Sequence, residues 1–489
     1  MRYHDNEVVI VNSGNCTFVR KGIFKIIDCC VTDGQDPNNN IDKYKVFQVE
    51  TDGTITFRVG RKKSSKVAKW WKEHIPADRN TYQEDPDELN FAMIGELTLY
   101  LKGGCFGDSE VTLVLKDVAF AQGSYGTRNN WWFGGKNCSR AVDRNASLDS
   151  QQVTVLGTLG KNMARIIAYR SEMGMSVNTV TFEYHVINLA NADWMKQKFG
   201  DNGQSENMLL KNMVLPASHD AGMSELHHMD VLSNTTPQAV KTQEAGIAEQ
   251  LLYGCRFFDL RVDFDHGQLV TYHRTDFLGA NGQSLKDIMD QAVWFLNKYK
   301  DETFIFKFSH IRDYQEHISK DTIAILHDFL DKYTDYFYKS DTEIDIHELS
   351  YNELKGKILI VCDYDDDRIS RAAGYFRYVD ISGMSYIEYD TYKVYDKYSN
   401  TSIYEQMKND QIDKWKESSK RIINANSYEL FLLSWTLTQS IGSIKKGAEE
   451  ANGNLEGVLE EMTECKKPHL ICVDYVDFDV CDAIIRYNC

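Results

Sequence analysis

Two imidazoles, a guanidinium and several carboxylates recur at the ends of apolar runs in the C-terminal part of the chain. Leu215-Pro216-Ala217-Ser218 runs into His219-Asp220 and then Ala221-Gly222. Phe257-Phe258-Asp259-Leu260-Arg261 places an acid and a guanidinium two residues apart, hence on one face of a strand. Leu269-Val270-Thr271-Tyr272 ends in His273, and Leu470-Ile471-Cys472-Val473 ends in Asp474. Each has a plain structural reading: a strand-end histidine can simply be satisfied in place, and Asp259–Arg261 can be a buried ion pair. Together they form a set able to move protons around a phosphodiester. One imidazole takes a proton from an attacking hydroxyl and a second protonates the leaving oxygen. The guanidinium meets the developing charge with a fork of donors, and a carboxylate behind the base fixes its tautomer.

Such a set needs a scaffold that presents strand ends at one face. From about residue 205 onward, strands and helices alternate, which is the pattern of a parallel sheet. Eight strands are predicted, at 213–218, 256–262, 269–273, 303–309, 357–363, 375–381, 430–435 and 470–475. Helices lie between several of them, one opened by Thr236-Pro237 and another capped by Ser284. Eight strands over this length predict a closed (β/α)8 barrel, an α/β fold of the TIM type, with its chemistry at the C-terminal strand ends. Closure brings strand eight beside strand one, so Asp474 can reach His219.

Residues 1–198 read as an all-β, sandwich-like domain and residues 205–489 as the barrel domain, with the turn Gly200-Asp201-Asn202-Gly203 between them. A basic stretch, Arg61 to Lys72, contains Trp70-Trp71. It reads either as a solvated segment anchored by its tryptophans or as a membrane-interface contact. Asn129-Asn130-Trp131-Trp132 is open in the same way.

The net charge of −17 is unevenly placed. Residues 1–200 carry 25 Lys and Arg against 23 Asp and Glu, or +2, leaving 30 against 49, or −19, for the rest. An acidic catalytic half argues against a nucleic-acid partner and against bulk attraction to an anionic membrane. No apolar stretch is long enough to span a bilayer. The N-terminal residues show no signal-peptide pattern, so the chain as it stands reads as cytoplasmic, or as secreted if a leader has been removed. Of 11 cysteines, Cys255, Cys362 and Cys472 fall in predicted core strands and read as buried thiols. Cys16, Cys29, Cys30, Cys105 and Cys138 leave a disulfide open.

With these residues on the page, 212–475 resembles the phosphatidylinositol-specific phospholipase C X domain. The likeness runs through PASHDAG, GCRFFDLR, VTYH, TFIFKFSH and LLSWTLTQ, and is nearest to the bacterial-type and X-domain-only members. The resemblance implies that His219 is the general base and His273 the general acid. It places Asp220, Asp259 and Arg261 around the phosphate and the attacking hydroxyl, and makes Asp474 the carboxylate that orients the base. It implies an inositol phospholipid substrate at a transiently visited membrane surface, and diacylglycerol and a cyclic inositol phosphate as products. Asp396 and Tyr398 resemble headgroup-binding positions.

In the calcium-dependent branch of the family, carboxylates stand where Arg261 stands here, so no metal and no other cofactor is expected. Lys307, two residues before Ser309, either takes the role of the family's site lysine or pairs with a lumen carboxylate. Arg368, beside the acidic loop Asp363, Asp365, Asp366 and Asp367, is a further headgroup candidate, and the loop itself reads as a solvated turn. His227-His228 reads as a loop pair, His310 as a supporting residue, and Trp435 as packing at the barrel mouth. Two alternatives stay open: a phosphodiesterase for another headgroup, and a membrane- or glycan-binding, toxin-like protein with a vestigial barrel.

Overall fold

The computed structural model describes residues 4–12, 16–31, 46–51, 54–59, 69–70, 89–103, 111–125, 128–135, 153–159, 162–170, 178–200, 208–227, 237–274, 279–313, 319–380, 389–424, 427–428, 430–438 and 443–488. The chain forms two compact units, Met1–Asn188 and Leu189–Cys489.

The first unit is built of strands that join in one ten-stranded sheet. Its hydrogen-bonded path runs Val46–Val49, Cys16–Val31, Leu89–Gly103, Val111–Tyr125, Val153–Leu159, Asn162–Arg170, Asn178–Ile187, His4–Asn12, Thr54–Val59. Arg128–Gly135, which contains Asn129 to Trp132, pairs with Val111–Tyr125 off this path. Strict alternation explains the strands that can be followed in detail. Gly22, Phe24 and Ile26 are buried, while Lys21, Ile23, Lys25 and Ile27 face out. The facing strand buries Met93, Gly95, Leu97 and Leu99. Gly95 is required there, because a Cβ would stand 2.5 Å from the Phe24 ring. Of the basic stretch, only Lys69 and Trp70 fall within the described residues, as a short helical piece. Cys105, Cys138 and His228 lie outside the described residues.

The second unit is a closed barrel of eight parallel strands. We number them β1 (Leu215–Ser218), β2 (Phe257–Asp265), β3 (Phe304–Asp313), β4 (Ile358–Cys362), β5 (Tyr375–Asp380), β6 (Thr391–Asp396), β7 (Phe431–Trp435) and β8 (Leu470–Val473). Consecutive strands pair in parallel, and β1 closes the ring by pairing with both β2 and β8. Side-chain phase divides lumen from shell. On β3, Phe304 and Phe306 turn outward, where they meet Phe258 of β2, and Phe304 meets Phe295 of the helix Leu285–Lys298. Lys307 and Ser309 take the opposite phase. Ser284 caps that helix, its hydroxyl accepting from the backbone N–H of Asp287, as its position predicts. Further helices, Ile247–Tyr253, Lys320–Leu330, Tyr404–Ser418, Ile444–Glu461 and Phe478–Arg486, cover the barrel. Between β4 and β6 the described residues hold no helix.

One strand assignment is corrected. The stretch 269–273 is not the third barrel strand. It belongs to Gln268–Arg274, which folds back antiparallel on the far end of β2 and pairs in turn with Gly279–Ser284. The parallel strand missed is β6, whose apolar run is broken by Lys393, itself only 3% exposed.

The units divide at Asn188–Leu189, upstream of the Gly200–Gly203 turn, because Leu189–Gly200 seals the lower end of the barrel. There Arg256, just before β2, donates from Nη2 to the Ala192 carbonyl at 2.8 Å and to Glu302 at 2.6 Å. Trp194 donates from Nε1 to the Gly254 carbonyl at 3.0 Å. The described residues contain no helix long and apolar enough to cross a membrane.

Candidate active site

The upper ends of β1, β2, β3, β6 and β8 converge on one cluster. His219 follows β1 and Asp474 follows β8, and the pairing of these strands across the closure seam sets Nδ1 of His219 2.8 Å from Oδ1 of Asp474. On the other side of the ring, Nη2 of Arg261 donates to Nε2 at 3.1 Å. In this arrangement Nδ1 carries the imidazole proton and Nε2 the lone pair. Burial alone would depress the His219 pKa, but the charges of Asp220 and Asp474 outweigh burial and raise it to about 9, with Arg261 opposing. Arg261 and a proton therefore compete for the same nitrogen.

Asp220 lies at the centre. Its Oδ1 is 2.7 Å from Nε of Arg261, and its Oδ2 is 3.6 Å from Nε2 of His219 and 4.0 Å from Nε2 of His273. Two atoms at 3.6 and 4.0 Å from a common oxygen are at most 7.6 Å apart, so both imidazoles face one small space. His273 is held by Nδ1, which lies 3.0 Å from the Val240 carbonyl and donates to it. Oδ1 of Asp220 is thus ion-paired with Arg261, while the buried Oδ2 has no hydrogen-bond donor among the described residues. The backbone there is strained, with φ of 42° at Asp220 and 51° at Tyr475. Gly222 allows the turn to lie against the ribbon: a Cβ would sit 2.2 Å from Thr271 Oγ1.

A second group adjoins the first. Asp259 accepts from the Ser309 hydroxyl at 3.1 Å and lies 3.6 Å from Nε of Arg261. Burial would raise its pKa, yet Lys307 and then Arg261 pull it down to about 2. Lys307 donates to Asp396 at 3.2 Å, lies 3.7 Å from Asp363 and 3.9 Å from Asp259, and stands 4.1 Å from the centre of the Tyr378 ring. These carboxylates overcome burial and hold the ammonium above the ordinary lysine range. The Tyr378 hydroxyl donates to Asp396 at 2.7 Å. His310, at φ 50°, places Nδ1 3.2 Å from the Ser309 hydroxyl, in the supporting position expected of it.

Several candidates are not brought to this cluster. Arg368 points to the helical shell, bonded to Asp328 at 2.8 Å. Tyr398 follows β6 but is 62% exposed. Trp435 does not pack at the mouth; it is buried against the shell, donating to the Ala451 carbonyl at 2.7 Å. The acidic loop is partly neutralised, Asp365 by Arg377 and Asp366 by Arg368, while Asp363 faces Lys307. His227 stands beside Glu225, not in a cluster of ligands. Burial pushes the Cys255 and Cys362 thiols up to about 12 and holds Cys472 well above the ordinary thiol range, so all three are inert.

Sequence reasoning missed Tyr378, Ser309 as a partner of Asp259, and the loop residues Thr242 and Gln243. Tyr378 had a signal, since it shares a strand phase with Phe376 and Asp380. Thr242 and Gln243 act on backbone carbonyls and had none.

His219, Asp220 and Asp259 offer atoms within 4.8 Å of one another, a spacing a cation could use. Arg261 already stands against both carboxylates.

Residues 213–363 match the family model described as phosphatidylinositol-specific phospholipase C, X domain. Over this stretch the chain resembles an X domain of that family. Among curated relatives, a 1-phosphatidylinositol phosphodiesterase of Staphylococcus aureus (strain Newman) is 23% identical over 323 residues, covering 60% of this chain and 94% of the relative. A PI-PLC X-box domain-containing protein of Dictyostelium discoideum is 26% identical over 170 residues, 32% of this chain and 21% of that protein. Among solved structures, a phosphatidylinositol-specific phospholipase C from Listeria monocytogenes aligns with a TM-score of 0.44 at 19% identity, covering 61% of this chain and 99% of that one. The X-domain match runs from the start of β1 to the end of β4 and thus includes His219, Asp220, Asp259, Arg261, His273 and Lys307, but not Asp396 or Asp474.

Proposed function

We propose that the barrel cleaves phosphatidylinositol, or its glycosylated form, at a membrane surface without a metal ion, releasing diacylglycerol and a cyclic inositol phosphate. The observation that carries this reading is the single space flanked by Nε2 of His219 and Nε2 of His273, with the Arg261 guanidinium beside it. Both nitrogens are close enough to reach one phosphodiester group, each through a hydrogen bond of roughly 2.8 Å.

The steps follow from the contacts. The inositol 2-hydroxyl attacks phosphorus as Nε2 of His219 takes its proton. Asp474 holds Nδ1–H and stabilises the imidazolium that results. Asp220, whose buried Oδ2 lacks a donor among the described residues, accepts a hydroxyl of the sugar there and so replaces a missing hydrogen bond. Arg261 leaves Nε2 and turns its donors to the phosphoryl oxygens, where charge builds. His273, protonated at Nε2 and braced at Nδ1, gives its proton to the glycerol oxygen as the P–O bond breaks. Lys307 and Asp396 bind the ring hydroxyls from the far side. Metal independence is supported by the position of Arg261, a fixed positive charge against the two carboxylates that a cation would need.

The test is turnover of phosphatidylinositol vesicles in excess EDTA. Release of a cyclic inositol phosphate is expected, with losses of about 100-fold or more for His219→Ala and for His273→Ala. Full activity in His219→Ala would remove the base assignment, and strict calcium dependence would overturn the role given to Arg261.

A further inference from the structure

The two histidines sit on separate pieces of backbone, yet one short stretch touches both. Val240 ends the one-turn helix Pro237–Val240, and the extended residues Lys241, Thr242 and Gln243 follow. The Val240 carbonyl accepts from Nδ1 of His273 at 3.0 Å. The Thr242 hydroxyl donates to the Asp220 carbonyl at 2.9 Å, and the Thr242 carbonyl accepts from the Tyr475 N–H at 2.7 Å. Gln243 donates from Nε2 to the His219 carbonyl at 2.8 Å and to the Val473 carbonyl at 3.3 Å, and its Oε1 accepts from the Val476 N–H at 2.8 Å. Gln243 is fully buried and Thr242 is 1% exposed.

These bonds are ill-suited to stability alone. The ends of β1 and β8 are already paired, and Asp220 and Tyr475 on them are held at positive φ. A fully buried glutamine that spends every polar group on the backbone flanking His219 and Asp474 fixes where those side chains point.

We propose that Thr242 and Gln243 are positioning residues, forming a strap that sets the register of His219 against Asp474 and the separation of His219 from His273. The inference rests on the acid–base roles given above, but the strap can be tested apart from them. The groups that face the His219 ring are Asp220 and Arg261 on the Nε2 side and Asp474 on the Nδ1 side.

The experiment compares Thr242→Ser, Thr242→Val and Gln243→Met in the full chain. Two readouts are used, below the melting temperature of each variant: turnover of phosphatidylinositol vesicles, and the titration of His219 followed by NMR without substrate. Thr242→Val and Gln243→Met are expected to lower kcat by about tenfold or more at nearly unchanged KM. They also lower the His219 titration point, because the contact with Asp474 loosens. Thr242→Ser, which keeps the donor, restores both. If Thr242→Val does not fold, Gln243→Met carries the comparison. Variants that fold yet keep both the His219 titration and kcat of the parent overturn the strap. If the parent does not cleave the vesicles but Thr242→Val and Gln243→Met still shift the His219 titration, the strap stands and the phosphatidylinositol reading falls instead.

Discussion

Nδ1 of His219 lies 2.8 Å from Oδ1 of Asp474, across the seam where the last barrel strand closes on the first. Each residue sits one position past its strand. The contact exists because β1 and β8 pair with Ser218 opposite Val473, so the residue after each strand meets its counterpart at the same height. Asp474→Asn keeps the shape but offers an amide N–H to Nδ1, which favours the wrong tautomer. A fall in kcat of roughly 10²-fold or more is expected, with little change in melting temperature, measured on phosphatidylinositol vesicles. An unaltered kcat would show that the base needs no orienting carboxylate.

The pH profile should carry the signature of Asp220. A general base works when neutral, and the His219 pKa is raised to about 9. The limb of the free-enzyme profile, as kcat/KM, that reports His219 should therefore lie near pH 9, while the need for a protonated His273 sets the other limb. Removing the Asp220 charge takes away the largest single contribution that raises this pKa. In Asp220→Asn the limb that follows His219 shifts to lower pH even though the maximum rate drops. A limb that stays in place, or moves up, contradicts the electrostatics described here.

Arg261 is asked for two things at once: charge, and a planar set of donors. Arg261→Lys keeps the first and loses the second, so kcat should fall by about 10²- to 10³-fold without gaining dependence on calcium. Parallel assays in EDTA and in millimolar calcium distinguish this from a metal-assisted reaction, in which added calcium would recover the rate.

At the opposite end of the barrel, Arg256 and Glu302 form an ion pair with no solvent exposure. Arg256 also donates to the carbonyls of Leu251, Cys255 and Ala192, and Glu302 accepts from the Lys196 N–H at 2.9 Å. Glu302→Ala strands a buried guanidinium and should cost about 3–5 kcal/mol in urea unfolding. At low denaturant, turnover of the surviving folded enzyme should match the parent, since none of these groups reaches the upper cluster.

The barrel was legible because β2, β3, β4, β7 and β8 are apolar runs that the chain can bury on both sides. Asp259, Arg261, His219 and Asp474 stood out as ionisable groups at the ends of such runs. β6 was not legible, since Lys393 interrupts it and its burial depends on neighbours far along the chain. The antiparallel turn before His273 did leave a local mark. His266 and Gly267, at φ 48° and 79°, form a two-residue turn between paired Asp265 and Gln268, the geometry a tight hairpin needs. Arg368 misled because loop direction decides whether a strand-end residue reaches the mouth or the shell. Asp328 on the neighbouring helix captured it.

His273 is mounted outside the ring, on a ribbon whose strand pairing with the barrel runs along the upper part of β2. In the proposed reaction, the half that expels the leaving group is thus hung from the scaffold like an attachment, while the half that begins the attack is welded into the closure seam. Alterations to the ribbon could admit a bulkier or differently shaped alcohol on the departing side without disturbing how the sugar is engaged.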